Sequence, residues 1–396
     1  MPRPLTFYEF FAGGGMARGG LGAGWTCLFA NDIDPEKAAA YRANWGGEEL
    51  VCGDLGAIAA RLIPGEADLA WASFPCQDLS LAGGGRGMGA ADAEVKTRSG
   101  AFWLFHEKMR ALRAQGRAPR AIVLENVVGV LTSHGRRDFC ALVGALDEIG
   151  YRVGALILDA RWFTPQSRPR VFFVALQKAL FAALPSDGAG LLATQADPLW
   201  SSPSLIAAHA ALPAGLAADW VWWRLPEPPR RNADLIDLLE DDPADAPWRS
   251  QAATERLLAL MAPAHRGKIA KMQAGGERAI GAVYRRTRMD ENGVKKQRAE
   301  ARFDGLAGCL RTPGGGSSRQ TIMEVRGETI RTRLLSPREA ARLMGLADSY
   351  KLPKGAGAAY KLCGDGLCAP AVRHLAEHLL QPLLGAMAAK DLAAAE

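Results

Sequence analysis

Thr6-Phe7-Tyr8-Glu9-Phe10-Phe11 runs directly into Ala12-Gly13-Gly14-Gly15. An aromatic strand pattern thus stops at a glycine turn, and a helix-compatible segment follows. Glycine alone permits both a turn this tight and a close backbone approach to a ligand. The carboxyl end of a first parallel strand is also where a nucleoside cofactor approaches a doubly wound sheet. Glycine-rich turns serve purely steric ends as well, so the neighbouring runs matter. Thr26-Cys27-Leu28-Phe29-Ala30 ends in Asn31-Asp32-Ile33-Asp34, and Leu50-Val51-Cys52 ends in Gly53-Asp54. An acid at the tip of the second strand is the usual partner of ribose hydroxyls. Asp32 is either that partner or a helix cap, and Asp34, adjacent to Pro35, is the better cap. Three strand tips carrying glycines and acids imply one cofactor crevice.

Further along, Leu69-Ala70-Trp71-Ala72 reads as a buried strand, followed by Ser73-Phe74-Pro75-Cys76-Gln77 and the loop Gly83 to Gly89. A cysteine between a strand and a glycine-rich loop is placed as a nucleophile, against the ordinary alternative of a small buried hydrophobe. Ala121-Ile122-Val123-Leu124 stops at Glu125-Asn126-Val127. If these two strands are parallel neighbours, thiol and carboxylate share a sheet edge; Glu125 otherwise caps the next segment. In Pro165-Gln166-Ser167-Arg168-Pro169-Arg170 two arginines at spacing two on an extended segment point to one side. Such a basic strip suits a phosphate or a base carbonyl, or a salt bridge to Glu125.

With 396 residues, the chain exceeds the usual single core of ~250–300 residues, so two domains are expected. Apolar residues make up 48% of it, with no uninterrupted run of ~18 that would span a bilayer. The amino terminus lacks a signal-peptide pattern, and a cytoplasmic protein is expected. Seven cysteines at irregular spacings match neither a disulfide framework nor a zinc pattern. The net charge of +6 is unevenly spread: residues 251–335 hold 17 Lys+Arg against 8 Asp+Glu, whereas 179–250 hold 4 against 10. Arg285-Arg286-Thr287-Arg288, Lys295-Lys296-Gln297-Arg298 and the glycine loop from Arg311 to Arg319 carry the surplus. Clustering beside turn-forming glycines favours phosphate contact, although the glycine loop also reads as a long hairpin tip. From about residue 179 prolines and tryptophans break the strand–helix alternation. Asp234 to Asp242 reads as an acidic amphipathic helix with a solvated face. Ser336-Pro337-Arg338-Glu339 opens a helix as a capping box, and a last helix is expected from about Ala369 to Leu384.

The ordered set Phe11-Ala12-Gly13-Gly14-Gly15, Asn31-Asp32-Ile33-Asp34, Gly53-Asp54, Phe74-Pro75-Cys76-Gln77, Glu125-Asn126-Val127, Gln166-Ser167-Arg168-Pro169-Arg170 and Arg333 to Glu339 with Arg342 and Gly345 resembles the cytosine-C5 DNA methyltransferases over nearly the whole chain. The resemblance implies an α/β fold of the Rossmann-like methyltransferase type, with a mostly parallel sheet. It also implies catalytic and cofactor-binding residues 1–178, a small irregular target-recognition domain over 179–335, and a hinge with C-terminal helices over 336–396. S-adenosylmethionine is the implied cofactor, with no metal. Phe11, Gly13, Gly15, Asp32, Ile33, Asp54, Leu55, Pro75 and Asp365 fall at its expected contacts. Cys76 would be the nucleophile that adds to C6 of a flipped-out cytosine, helped by the charge of Arg168 and Arg170. Glu125 would protonate N3, Asn126 would hold the exocyclic amine or the local loop, and Arg170 would address O2 and orient Glu125. Gln77, Ser80, Arg86, Arg98, Arg311, Thr312, Gly314, Gly315 and Arg319 would meet the DNA. The implied setting is a monomer on double-stranded DNA in the bacterial nucleoid, either paired with a restriction endonuclease or a solitary regulatory methylase.

Three departures stand out. Asp365 in Gly364-Asp365-Gly366 replaces the family's more frequent asparagine, Met16 replaces a glycine, and Ile33 falls where many members carry a larger ring. The rival readings are a tRNA cytosine-C5 methyltransferase, a non-catalytic DNA-binding protein on the same fold, and a nicotinamide dehydrogenase. The intact Cys76, Glu125 and Arg170 oppose the second, and the missing spaced glycine fingerprint opposes the third.

Overall fold

Leu5–Phe10 forms β1, whose Phe7, Tyr8 and Phe10 are fully buried. With β2 (Trp25–Asp32), β3 (Leu50–Cys52), β4 (Leu69–Ala72), β5 (Ala121–Val127), β6 (Tyr151–Asp159) and β7 (Pro169–Gln177) it builds a seven-stranded sheet in the order β3-β2-β1-β4-β5-β7-β6. The computed structural model describes residues 3–75, 100–184, 190–289, 293–312 and 319–385, and of Arg288 the backbone alone. The pairs β1/β2, β1/β4, β2/β3 and β4/β5 are parallel, while β7 runs antiparallel to β5. Strand order reverses between β1 and β4, and ligands of open α/β sheets bind beyond the carboxyl ends of the strands at such a reversal.

Local signals set the helix starts. Asp34 accepts hydrogen bonds from the backbone of Glu36 (3.0 Å) and Lys37 (3.3 Å), and Pro35 occupies the first turn of the helix Pro35–Trp45. One sheet face is sealed by helix Ala101–Ala114, where Phe105 meets Phe10 edge-on with ring centres 5.1 Å apart. On the other face Trp71 packs against Phe172.

The chain divides into two compact units, Met1–Leu158 with Pro169–Glu227 and Ala371–Glu396, and Asp159–Arg168 with Pro228–Pro370. These boundaries differ from the segments read from composition. The tryptophan-rich stretch after residue 179 joins the first unit because its aromatic area has a surface there to cover. Trp223 donates to the carbonyl of Val174 (3.1 Å), Trp220 packs on Phe139, and β8 (Leu192–Ala193) pairs with β9 (Trp222–Trp223).

The second unit holds a four-stranded antiparallel sheet, β11-β10-β12-β13, from β10 (Ala279–Met289), β11 (Lys295–Arg302), β12 (Thr321–Arg326) and β13 (Thr329–Leu334). Leu257 and Ile269 from two helices, with Met261 from the segment between them, pack on its Val283, Ala299, Ala301, Met323 and Val325. Ser336 and Glu339 form the expected capping box on helix Pro337–Leu343. Glu339 also pairs with Arg333 at 2.6 Å, both side chains fully buried. Asp234 to Asp242 is not the expected amphipathic helix: only Leu235–Leu238 makes a single 3-10 turn. Beyond that turn, Glu240 accepts from the Ser336 hydroxyl (2.7 Å) and its backbone N–H donates to Glu339 (2.8 Å). Bonds to a buried ion pair thus replace the helix's own. The last helix is α-helical over Ala369–Leu375 and π-helical over Ala376–Leu380. Among the described residues no helix is long and apolar enough to cross a membrane.

Candidate active site

The turn after β1 is built from left-handed residues, Phe11 (φ 57°), Gly13 (φ 57°) and Gly15 (φ 76°). Glycine adopts this conformation without strain, and Phe11 is held in it although bulky residues rarely are. A side-chain carbon at Gly15 would come within 2.3 Å of Trp45, whereas one at Gly13 would meet nothing within 4 Å. Gly15 is therefore required by packing, and Gly13 faces open space. The Gly13 N–H donates to one carboxylate oxygen of Asp32 (2.7 Å) and the Asp34 N–H to the other (2.8 Å). Asp32 consequently ties the two strand tips together while Asp34 caps the helix.

Asn31 donates to the carbonyls of Val51 (3.0 Å) and Gly53 (2.9 Å), which fastens β3 to β2. Asp54 accepts from the Gly56 N–H (2.9 Å) and starts a 3-10 turn. Leu55 is buried in the core of the first unit. Ile33, in contrast, is 68% exposed and Val51 is 41% exposed, two apolar side chains at the tips of adjacent strands.

Sequence reading missed the group behind the glycine turn. Trp45 donates to the Gly14 carbonyl (3.0 Å), and the Arg18 guanidinium stacks over Trp45 and Tyr41 while pairing with Glu49. Only the fold brings residues 31 apart in sequence together here. Glu9, visible as a lone acid within an aromatic strand, is fully buried, and burial pushes its carboxyl up to about 8.

On the other side of the strand-order reversal, β4 and β5 are parallel neighbours, with Ala72 beside Leu124. Asn126 donates from its side chain to the Phe74 carbonyl (3.1 Å), so it holds the loop leading to Pro75 and Cys76. Of the two roles expected for Asn126, this contact is the loop-holding one. The ion pair between Arg170 and Glu125 is 3.1 Å long, and both side chains are largely buried. Antiparallel register places Val127 opposite Arg170, bringing the arginine to the carboxyl end of β5.

Arg168 and Arg170, read as one basic strip, are committed to different partners. Arg168 is 2% exposed and donates to the carbonyls of Leu310 (2.9 Å), Gly364 (2.9 Å) and Gly366 (2.7 Å), all in the second unit. The guanidinium fork is spent on backbone. Arg168→Ala should lower stability by about 2–5 kcal/mol, because up to three buried carbonyls lose their donor. Urea unfolding of the full chain checks this, and lost activity with an unmoved midpoint would instead favour a chemical role for Arg168. Lysine should rescue only in part, since a point charge does not span three acceptors.

Asp365 ends helix Ala356–Asp365 and accepts from the Thr312 hydroxyl. Gly364 sits so close to the 311–312 backbone that a side-chain carbon would fall 2.6 Å from the Thr312 nitrogen. Arg319 lies over the Tyr360 ring at 4.7 Å. Both ends of the glycine loop therefore rest on this one helix of the second unit. Cys76, Gln77, Ser80, Arg86, Arg98, Gly314 and Gly315 lie outside the described residues.

The sequence profile of the C-5 cytosine-specific DNA methylases matches residues 5–381. The chain belongs to that family. It is a DNA (cytosine-5) methyltransferase. Among curated relatives it is 27% identical over 383 residues to the type II methyltransferase M.NlaX of Neisseria lactamica, covering 94% of this chain and 95% of that one. It is 25% identical to the type II methyltransferase M.HpaII of Haemophilus parainfluenzae, covering 96% and 90%. In fold it is similar to the Dnmt2 methyltransferase of S. pombe, with a TM-score of 0.54, 17% identity and coverage of 96% and 99%. It is also similar to a prophage-encoded DNA modification methyltransferase from E. coli, with a TM-score of 0.53, 18% identity and 96% of this chain covered.

Proposed function

We propose that this methyltransferase modifies C5 of a flipped-out cytosine in specific duplex DNA sites through a covalent Cys76–C6 adduct. The observation that carries the reading is the shared end of β4 and β5, where Asn126 holds the Phe74-Pro75 segment and Arg170 holds Glu125.

Cytosine C5 is a poor nucleophile. Addition of the Cys76 thiolate to C6, with proton donation from Glu125 to N3, makes C5 enamine-like, and Arg170 steadies the carboxyl while addressing O2. S-adenosylmethionine, when bound, supplies an electrophilic sulfonium methyl. The residues fit such a cofactor: open space at Gly13, the Asp32 carboxylate at a strand tip, and the exposed apolar Ile33 beside it. Phe11, Gly15, Asp54, Leu55 and Pro75 complete the proposed cofactor set of the first unit. Once C5 has taken the methyl, leaving a neutral thioether, a base takes the C5 proton, and β-elimination frees Cys76 as N3 returns its proton to Glu125. A stacked base is out of reach, so the target is extruded at a cost of a few kcal/mol. Gln77, Ser80, Arg86 and Arg98 are proposed to meet the extruded strand. The second unit is proposed as the target-recognition part, using Arg311, Thr312 and the loop to Arg319. A monomer acting in the cytoplasm, alone or beside a restriction endonuclease, suits the type II relatives.

Labelled-methyl transfer to duplex DNA and to tRNA, combined with bisulfite sequencing of DNA from an expressing host, tests the reading. Transfer to duplex DNA at a recurrent site is expected. Transfer to tRNA alone would replace DNA as the substrate.

A further inference from the structure

The antiparallel sheet of the second unit has uneven strands. β10 pairs with β12 only from Ala279 to Val283, but with β11 from Ala282 to Met289. Tyr284 to Met289 and Lys295 to Glu300 therefore extend past the other two strands as a two-stranded ribbon. Such a ribbon is marginal in water on its own; buried Ala299 anchors its inner end, its N–H donating to the Leu260 carbonyl (3.1 Å), while Lys295 to Arg298 farther out are exposed. Met289 and Val294 are 64% and 53% exposed.

Its side chains are instead basic. Arg285, Arg286, Lys295, Lys296 and Arg298 are all exposed, and the two strands carry no acid between Arg285 and Arg288 or between Lys295 and Arg298. Arg286 is directly opposite Arg298, and two residues outward Arg288 is the register partner of Lys296. Like charges facing each other across a strand pair destabilise it. Glu300 offsets part of this, at 3.5 Å from Arg286, and Arg286 also lies over the Tyr284 ring at 4.6 Å. Asp290 and Glu291 come next in the sequence. Alternation along the strands puts Arg286, Lys296 and Arg298 on one face and Arg285 and Lys295 on the other. Lysines on an edge strand ordinarily guard against aggregation. Beyond Val283 β10 is an edge as well, so such guarding covers both strands; it does not call for Arg286 to face Arg298 directly.

We infer that this ribbon is a sequence-independent docking element for the phosphate backbone of duplex DNA, separate from the Arg311 to Arg319 loop. A two-stranded ribbon fits the major groove, and charge on both faces lets it meet phosphates on either wall. The inference rests on duplex DNA being the substrate.

The test is fluorescence anisotropy of the full-length protein with a labelled random-sequence 30-bp duplex across a KCl series. Each lost phosphate contact makes the slope of log K against log salt shallower by about 0.9. Arg286→Ala/Lys296→Ala/Arg298→Ala should therefore flatten it by about 2–3 and weaken binding about tenfold or more. Transfer at saturating DNA and the bisulfite site pattern should stay unchanged. Arg286→Lys/Arg298→Lys should keep the wild-type slope, because phosphate accepts either cation. An unaltered slope in the alanine variant overturns the proposal, and so does a lysine variant as impaired as the alanine one, which would indicate base reading. If the wild-type protein transfers no methyl to duplex DNA, the substrate reading fails whatever the slope shows.

Discussion

Replacing Cys76 with serine or alanine is expected to reduce methyl transfer by at least about 10³-fold, the scale seen when a covalent nucleophile is removed. Cofactor affinity should stay within about twofold of wild type. The thiolate is the species that adds to C6, and a free thiol near pKa ~8.5 supplies some of it at neutral pH, whereas a serine hydroxyl supplies essentially no alkoxide. The proposed cofactor contacts after β1, β2 and β3 do not include the thiol. Single-turnover transfer of labelled methyl measures the first quantity and calorimetric titration with S-adenosylmethionine the second. Duplex DNA bearing 5-fluorocytosine at the target should trap wild-type protein covalently and neither variant. Substantial turnover by Cys76→Ser would remove the adduct from the mechanism.

The parts of the site that were legible are those at strand ends. A parallel sheet collects the residues following β1, β2, β3, β4 and β5 at one edge, so acids and glycines after apolar runs belong together once the runs are known to be neighbours. The pairing of β4 with β5 supplies that condition for Glu125 and Asn126. Packing set the rest, which escaped. Leu55 turns inward to the core although its neighbour Asp54 stays exposed. Trp45 reaches the glycine turn from the end of a helix that periodicity places only roughly. Arg168 and Arg170 share a side only if one strand contains both, yet β7 begins at Pro169 and the compact units divide between Arg168 and Pro169. Spacing cannot report where a strand starts. The same holds for residues 179–227, whose composition reads as irregular while tryptophans anchor them to the first unit.

Glu125→Gln is expected to lower the rate of transfer by about 10²–10⁴-fold, the usual contribution of a positioned proton donor, with little loss of stability. Glutamine matches the carboxylate in shape and still offers an oxygen to Arg170, so the 3.1 Å contact survives as a hydrogen bond. It cannot hand a proton to N3. Glu125→Ala should do further damage of a different kind. It strands the Arg170 guanidinium, whose side chain is 14% exposed, and breaking a buried pair from one side costs about 3–5 kcal/mol. The two variants therefore separate chemistry from scaffolding. Equal rate losses with a lowered urea midpoint only in Glu125→Ala would assign proton donation to Glu125 and support to the pair. A Glu125→Gln enzyme that turns over like wild type would reduce Glu125 to an anchor for Arg170, and N3 would need another donor. Trapping on 5-fluorocytosine DNA sharpens the distinction. If Glu125 acts by raising the reactivity of C6, adduct formation with Cys76 should slow in Glu125→Gln by the same factor as transfer.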